Sequence, residues 1–257
     1  MNLTTLKKIV VKVGSTSMVD TYQGRVRQQW LDSLAEDIAW LINKHSVKIV
    51  AMSSGALAWG LKRLGRAKEK IGKSYRKQIT GAIGQVGISN AWESAFDKWN
   101  LVSAQMLLTP KITGNASVGN TIESMLEANI VPFINENIPL LTEYDNDQLA
   151  VEISKILHAD ALIFLTDVEG LFSGDPRNNP NATLIPEVNN ITAELKELAV
   201  GSSSGTGTGG MQAKINAAEL AINSGCHVAI AGGEMFNPLR SISDQAKCTW
   251  FIAPKPK

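Results

Sequence analysis

Two lysines, two neighbouring aspartates and one glycine-rich run are the residues in this chain whose types and spacing suit chemistry on a phosphorylated ligand. Residues 202–214 read Ser-Ser-Ser-Gly-Thr-Gly-Thr-Gly-Gly-Met-Gln-Ala-Lys. The four glycines lack a Cβ, so the backbone can lie close to phosphate oxygens and offer them its N–H groups. Met211, Ile215, Ala218 and Ile222 then recur at helical spacing, which predicts a helix starting just after Gly210. Its first N–H groups and its dipole point back at whatever the loop holds. Lys214 falls in its first turn and adds a full positive charge. A flexible Gly/Ser linker is the plain alternative, but linkers rarely run straight into a helix with a lysine in its first turn.

Two known glycine motifs fit poorly. No Gly-Lys-Ser/Thr occurs, so the P-loop pattern is absent. Gly205-x-Gly207-x-x-Gly210 spells a dinucleotide fingerprint, but it follows the polar run 194–204 instead of a strand. Ile230 stands where the ribose-binding acid belongs. Phosphate binding by another scheme is the expectation.

Lys12 lies between Val11 and Val13, two residues before Gly14. A lysine inside a buried strand is costly unless it meets a counter-ion, and the glycine turn would leave its ammonium facing a ligand. Snorkelling at the strand end is the alternative. Asp145-Asn146-Asp147 precedes a helical pattern, and either aspartate could be an N-cap. Two carboxylates in three residues exceed what a cap requires, so one is expected to orient lysines or a metal. His45, His158 and His227 are scattered without metal or nucleophile–base spacing and read as structural. Met106, Met125 and the six tryptophans read as packing residues.

The elements that must position these groups alternate. Lys8–Val13, Lys48–Met52, Val102–Leu108, Ile130–Ile134, Ala161–Leu165 and Val228–Ala231 read as buried strands. Val26, Trp30, Leu34, Ile38 and Leu41 mark a helix between the first two; Leu149, Ile153, Ile156 and Leu157 mark another before the fifth. Such alternation implies an α/β fold with a largely parallel sheet covered on both faces. Lys62–Arg76 and Gly174–Pro186 read as surface excursions, and Ala253–Lys257 as a frayed tail. Ligands in these folds bind beyond the carboxyl ends of the strands. There the chain places Gly14-Ser15-Thr16-Ser17, Ser53-Ser54-Gly55-Ala56, Asn135-Glu136-Asn137, Thr166-Asp167-Val168-Glu169-Gly170 and Gly232-Gly233. Small, hydroxylic and amide residues thus gather on one rim.

At 257 residues the chain can bury one sizeable core. With 25 Lys and Arg against 24 Asp and Glu, it lacks the basic excess of a general nucleic-acid or membrane-surface binder. Two cysteines suggest neither a disulfide framework nor a zinc site and fit a reducing compartment. No stretch has the ~20 apolar residues of a membrane span, so a cytoplasmic location is expected.

Taken as a set, Val11–Ser15, Ser53–Ala56, Asn135–Asn137, Asp145–Asp147, Thr166–Leu171 and Gly207–Lys214 stand in the order and spacing of the amino acid kinase family. Lys77-Gln78, Gly84-Gln85, Gln105–Thr109 and Asp175–Arg177 extend the resemblance toward the glutamate-phosphorylating, glutamate 5-kinase branch. The resemblance runs from about Lys8 to Gly233 and as a set is highly specific.

It implies a three-layer αβα sandwich around a mainly parallel sheet, as one kinase domain over residues 1–257. The N-terminal half would bind the amino acid and the C-terminal half ATP. Lys12 and Lys214 would flank the transferring phosphoryl group and Asp147 would hold both ammoniums. Ser54, Asn135 and Asn146 would contact L-glutamate. Lys12, Thr166, Asp167, Thr208, Gly209, Gly210, Met211, Gln212, Ala213 and Lys214 would bind the nucleotide, with Mg²⁺ held mainly through ATP. The implied reaction makes L-glutamyl 5-phosphate, the first step of proline biosynthesis, for a glutamyl phosphate reductase. Proline feedback inhibition and a homo-oligomer are further implications.

The chain departs from the family pattern where an Asp usually follows Asn-Glu-Asn to meet the substrate's amino group: Ile138 stands there, and Glu143 or Asp145 could supply the charge. Many relatives also carry a C-terminal PUA-type, RNA-binding-like domain, which is not expected here. The alternatives are another family activity, on acetylglutamate, aspartate, carbamate or UMP, or a non-catalytic glutamate or proline sensor.

Overall fold

The computed structural model describes residues 1–20, 23–109, 115–140, 145–176, 178–200 and 210–254. Strands β1 (Lys8–Val13), β4 (Lys48–Ser53), β5 (Ser103–Leu108), β6 (Val131–Glu136), β7 (Ala161–Thr166), β8 (Glu187–Val188), β9 (His227–Gly232) and β10 (Cys248–Phe251) form one sheet in the order β5-β6-β4-β1-β7-β9-β10-β8. All neighbours are parallel except β9 and β10. The two-residue strands β2 (Val19–Asp20) and β3 (Arg25–Val26) make a separate antiparallel ribbon.

The period-2 alternation of strand side chains divides the apolar residues between two faces. Ile9, Val11, Val13, Ala51, Phe133, Ile163 and Ala229 face one way. They pack under α2 (Gln28–His45), α3 (Ala56–Leu64), α4 (Arg76–Asp97) and α9 (Pro238–Ser243). Val10, Val50, Met52, Ile134, Leu162, Phe164 and Ile230 face the other way. They lie under α5 (Ala116–Glu127), α6 (Asn146–Ile156) and α8 (Met211–Ile222). The remaining helices are the short α1 (Ser15–Met18) and α7 (Ala193–Val200). The αβα sandwich expected from the sequence is therefore the observed architecture.

The six sequence-derived strands are all present, within two residues at their ends. Two details differ. Val26 belongs to β3 and not to the helix that follows, which begins at Gln28. The antiparallel β10 was not foreseen. Its cause is the shortness of α9: six residues span only about 9 Å, too little to carry the chain back to the start of a neighbouring strand. Lys62–Arg76 comprises the end of α3 and two 3₁₀ turns, Gly65–Lys70 and Lys73–Tyr75, and is largely exposed as expected. Residues 255–257 of the tail lie outside the described residues.

β1 is the topological centre. β4 leads the chain to one side of it and β7 to the other, so a crevice opens at the carboxyl ends of these three strands.

Candidate active site

Lys12 shares a face of β1 with Val10 and points under α6 and α8, into the layer that holds Asp147 and Lys214. Its ammonium pairs with Asp147 Oδ1. Lys214, one turn into α8, donates to Asp147 Oδ2 at 3.3 Å. These three residues come from β1, α6 and α8 and are 7%, 4% and 7% exposed. Burial alone would push the Asp147 carboxyl up, but the ammoniums of Lys12 and Lys214 outweigh it and hold it below the usual carboxylate range. Asp147 is therefore a buried anion shared by two buried cations. Snorkelling does not describe Lys12.

Asp145 is the N-cap of α6: its Oδ1 accepts the N–H groups of Asp147 and Gln148 at 3.0 and 3.1 Å. The cap fixes the first turn, and with it the direction in which Asp147 reaches. Asn146, between them, donates to Ser54 Oγ at 3.2 Å and to Asn135 Oδ1 at 3.3 Å. Its own Oδ1 is buried without a hydrogen-bond partner among the described residues, which leaves an acceptor at the pocket wall. Asn135 donates on to Gln85 Oε1, and Gln85 donates to the Glu136 carbonyl. The ends of β4 and β6, α4 and α6 are thus tied into one polar network.

Two cavities meet here. One, about 360 Å³, is lined by Gly14, Ser15, Ser54, Asn135, Asn146 and Asp147 among others. The other, about 500 Å³, runs from Thr166 along the segment Val168–Phe172 to Pro176 and Met211. Thr166, Asp167 and Lys214 line both. Thr166 Oγ1 donates to Asp167 Oδ1 at 3.0 Å. The first cavity gathers the polar turns that follow β1, β4, β6 and β7, as the strand-end rule anticipates.

Not every residue singled out in the sequence reaches these cavities. Met211 lines the larger one, whereas Gly210, Gln212 and Ala213 line neither. Gln212 instead donates to Asn216 Oδ1 along α8. Thr208 and Gly209, the rest of the run 201–209, Glu143 and Arg177 lie outside the described residues. The helix predicted to start after Gly210 does start at Met211, with Gly210 as its N-cap.

Glu136 enters the sequence reading only within Asn135-Glu136-Asn137, yet it is a distinctive group of the site. It ends β6, is 2% exposed and lines the smaller cavity. Burial is the main reason its carboxyl is pushed up to about 7; the Asp145 N–H bonded to Oε1 at 2.6 Å works against the shift and the Asp145 carboxylate adds to it. No signal in the sequence sets it apart, because the apolar run read as a strand stops at Ile134, two residues before it. Ile138 is 5% exposed, lines the same cavity and packs so tightly on α4 that a Cβ at Gly81 would overlap it.

Neither cysteine is placed for nucleophilic work: both are buried, and burial pushes the Cys226 thiol up to about 12. His227 Nδ1 accepts the Ala253 N–H, a structural role. Among the described residues no group of three or more His, Cys, Asp or Glu side chains could cage a metal ion, and no helix is long and apolar enough to cross a membrane.

Comparison with known proteins agrees with this fold. Residues 7–232 match the model of the amino acid kinase family. The chain is 38% identical to the glutamate 5-kinase of Paramagnetospirillum magneticum, over 97% of this chain and 69% of that protein. It is 36% identical to the glutamate 5-kinase of Bradyrhizobium diazoefficiens, over 98% of this chain and 69% of that protein. The fold resembles UMP kinase from Ureaplasma parvum, with a TM-score of 0.69 at 17% identity over 96% of this chain and 99% of that one. It also resembles isopentenyl phosphate kinase of T. acidophilum, with a TM-score of 0.64 at 16% identity over 95% of this chain and 100% of that one. With most of its length matched to the family model and a third or more of its residues shared with curated members, the chain belongs to the amino acid kinase family.

Proposed function

We propose that the chain transfers the γ-phosphoryl group of ATP to the γ-carboxylate of L-glutamate, giving L-glutamyl 5-phosphate and ADP, the first step of proline biosynthesis. The observation that carries the proposal is the Lys12–Asp147–Lys214 triad where the two cavities join. The likeness to glutamate 5-kinases over nearly the whole chain supports glutamate as the acceptor.

A side-chain carboxyl of ordinary pKa, about 4.3, is ionised at pH 7 and is already a nucleophile. One of its oxygens bonds to the γ-phosphorus as the bond from that phosphorus to the β,γ-bridging oxygen breaks, and ADP leaves with the electron pair. No general base is required, consistent with a site built without histidine or a nucleophilic cysteine. The obstacle is the meeting of two anions. Catalysis of such transfers is mainly positioning and charge stabilisation, which Lys12 and Lys214 supply while Asp147 keeps both ammoniums at the junction. The amino acid occupies the smaller cavity, against Ser54, Asn135 and Asn146. The nucleotide occupies the larger one, against Thr166, Asp167 and Met211.

Magnesium is the implied metal. Mg²⁺ is usually held by one or two carboxylates together with substrate phosphates, and Asp167, at the junction, suits that demand. Bound there, the metal would supply further neutralisation of phosphate charge. With Ile138 apolar, Glu136 and Asp145 are, among the described residues, the carboxylates left in the amino acid cavity to meet the substrate's ammonium, beside Glu143, the other acid the sequence offers.

The N-terminal half of this single kinase domain is then the amino acid side and the C-terminal half the nucleotide side. The product, a labile acyl phosphate, passes to a glutamyl phosphate reductase in the cytoplasm. Proline competes at the glutamate site, and the chain works as a homodimer or homotetramer. Unchanged activity in millimolar proline would refute the feedback, and sedimentation as a monomer alone would refute the assembly.

The test of the reaction uses purified protein, Mg·ATP and hydroxylamine, which traps an acyl phosphate as its hydroxamate. Hydroxamate from glutamate and none from acetylglutamate or aspartate is expected. Product from another acid would move the substrate within the family, and ATP binding without any product would indicate a sensor.

A further inference from the structure

The charged residues that line the amino acid cavity oppose its proposed substrates. Among the described residues, two lysines, Lys12 and Lys214, stand there against four acids, Glu136, Asp145, Asp147 and Asp167. Glutamate and ATP are both anions, so the lining alone does not draw them in from solvent. The opposite charge lies just outside. Eight of the chain's 25 Lys and Arg but only one of its 24 Asp and Glu fall within residues 62–77. Without this segment the chain would be clearly acidic.

The segment is anchored at the mouth. Leu57, Ala58 and Leu61 of α3 line the cavity, and Lys62 and Arg63 follow at once on the same helix. The two 3₁₀ turns then carry Arg66, Lys68, Lys70 and Lys73, all exposed. The chain returns through α4, which close contact holds against α3: a Cβ on Gly60 would overlap the Thr80 carbonyl, and one on Gly84 the Ala56 carbonyl. The segment therefore leaves the cavity wall at Leu61 and returns on a helix packed against that wall. Leu61 is itself on that wall, and a helical turn advances only about 5.4 Å. At ionic strengths where the screening length is about 10–30 Å, the field of the segment's cations reaches the opening.

We infer that residues 62–77 form an electrostatic guide that concentrates anionic substrates at the mouth of the amino acid cavity. A cleft rimmed by one sign of charge raises the local concentration and entry rate of oppositely charged ligands. The guide touches no reacting atom, so it acts on substrate capture and not on the chemical step. It rests on the proposed function only in requiring an anionic acceptor.

The test compares the unaltered chain with Arg66→Gln/Lys68→Gln/Lys70→Gln/Lys73→Gln, all at exposed positions outside the catalytic machinery. KM for glutamate and kcat are read by hydroxamate formation in about 20 mM and about 500 mM NaCl. Expected is a KM raised roughly three- to tenfold in low salt, with kcat unchanged and the difference gone in high salt. Glu69→Gln, which removes the segment's one acid, should lower KM in low salt. Equal KM values for the quadruple variant and the unaltered chain in low salt would overturn the guide and leave the proposed reaction intact. Calorimetric binding of glutamate in the same two salts reads the guide without catalysis. A salt-sensitive loss of affinity in the variant supports the guide even if no hydroxamate forms, an outcome that would overturn the reaction alone. Identical affinities in low salt count against the guide in either case.

Discussion

Lys214 Nζ and Asp147 Oδ2 lie 3.3 Å apart although 67 residues separate them in the chain. The contact joins the first turns of α8 and α6, and Lys12 closes it from β1. Removing one partner of such a buried cluster strands charge on the others.

Lys12→Ala or Lys214→Ala should therefore lower kcat on the order of 10²-fold or more, by analogy with deleting a single oxyanion donor. Asp147→Asn should do the same, and it leaves two buried ammoniums without their counter-ion at a cost of about 3 kcal/mol in stability. Steady-state hydroxamate kinetics and denaturant melts check both. A near-normal kcat in any of the three removes that residue from the mechanism.

Glu136 makes stability depend on pH. Its folded carboxyl titrates at about 7, against an ordinary value of 4.5, so the folded state holds the proton more tightly than the unfolded chain. The stabilising contribution is fully present below pH 4.5 and is lost as pH rises through about 7. Glu136→Gln removes that loss and keeps an acceptor for the Asp145 N–H. Relative to the unaltered chain, the variant should be more stable at pH 8 than at pH 5, by on the order of 2 kcal/mol. Equal differences at the two pH values would show that Glu136 ionises normally.

Asp145→Asn separates capping from charge, because asparagine caps a helix about as well as aspartate. Thermal stability should barely change. If Asp145 helps to meet the substrate's ammonium, KM for glutamate should rise roughly tenfold with kcat little altered, as for loss of binding shared by ground and transition states. An unchanged KM removes Asp145 from that role and leaves Glu136 and Glu143 as its carriers.

Gly84→Ala tests the α3–α4 contact. The new methyl would overlap the Ala56 carbonyl, and Ala56 lines the amino acid cavity. Overpacking of this kind costs about 1–3 kcal/mol, so the melting temperature should fall and KM for glutamate should rise. A variant with the stability of the unaltered chain would mean that the helices separate freely.

Much of the fold was legible in the sequence because its signals are local. Buried parallel strands read as short Val-, Ile- and Leu-rich runs, and turn residues sit where those strands end. Lys12 could be singled out because a lysine inside a buried strand demands a counter-ion. Asp145 could be read as a cap, and α8 began where the apolar spacing placed it.

Three features required the tertiary structure. The direction of β10 depends on how far a six-residue helix carries the chain, which composition does not encode. Ile138 and Gly81 meet only because α4 crosses the turn after β6. The chemistry of Glu136 is the sharpest case. Its carboxyl looks like any other in the sequence, and its shift arises from desolvation at the end of a covered strand and from a neighbouring carboxylate nine residues away. Local periodicity specifies which face of an element is buried; the surroundings of a charge are set by elements distant in the chain, and only folding brings these together.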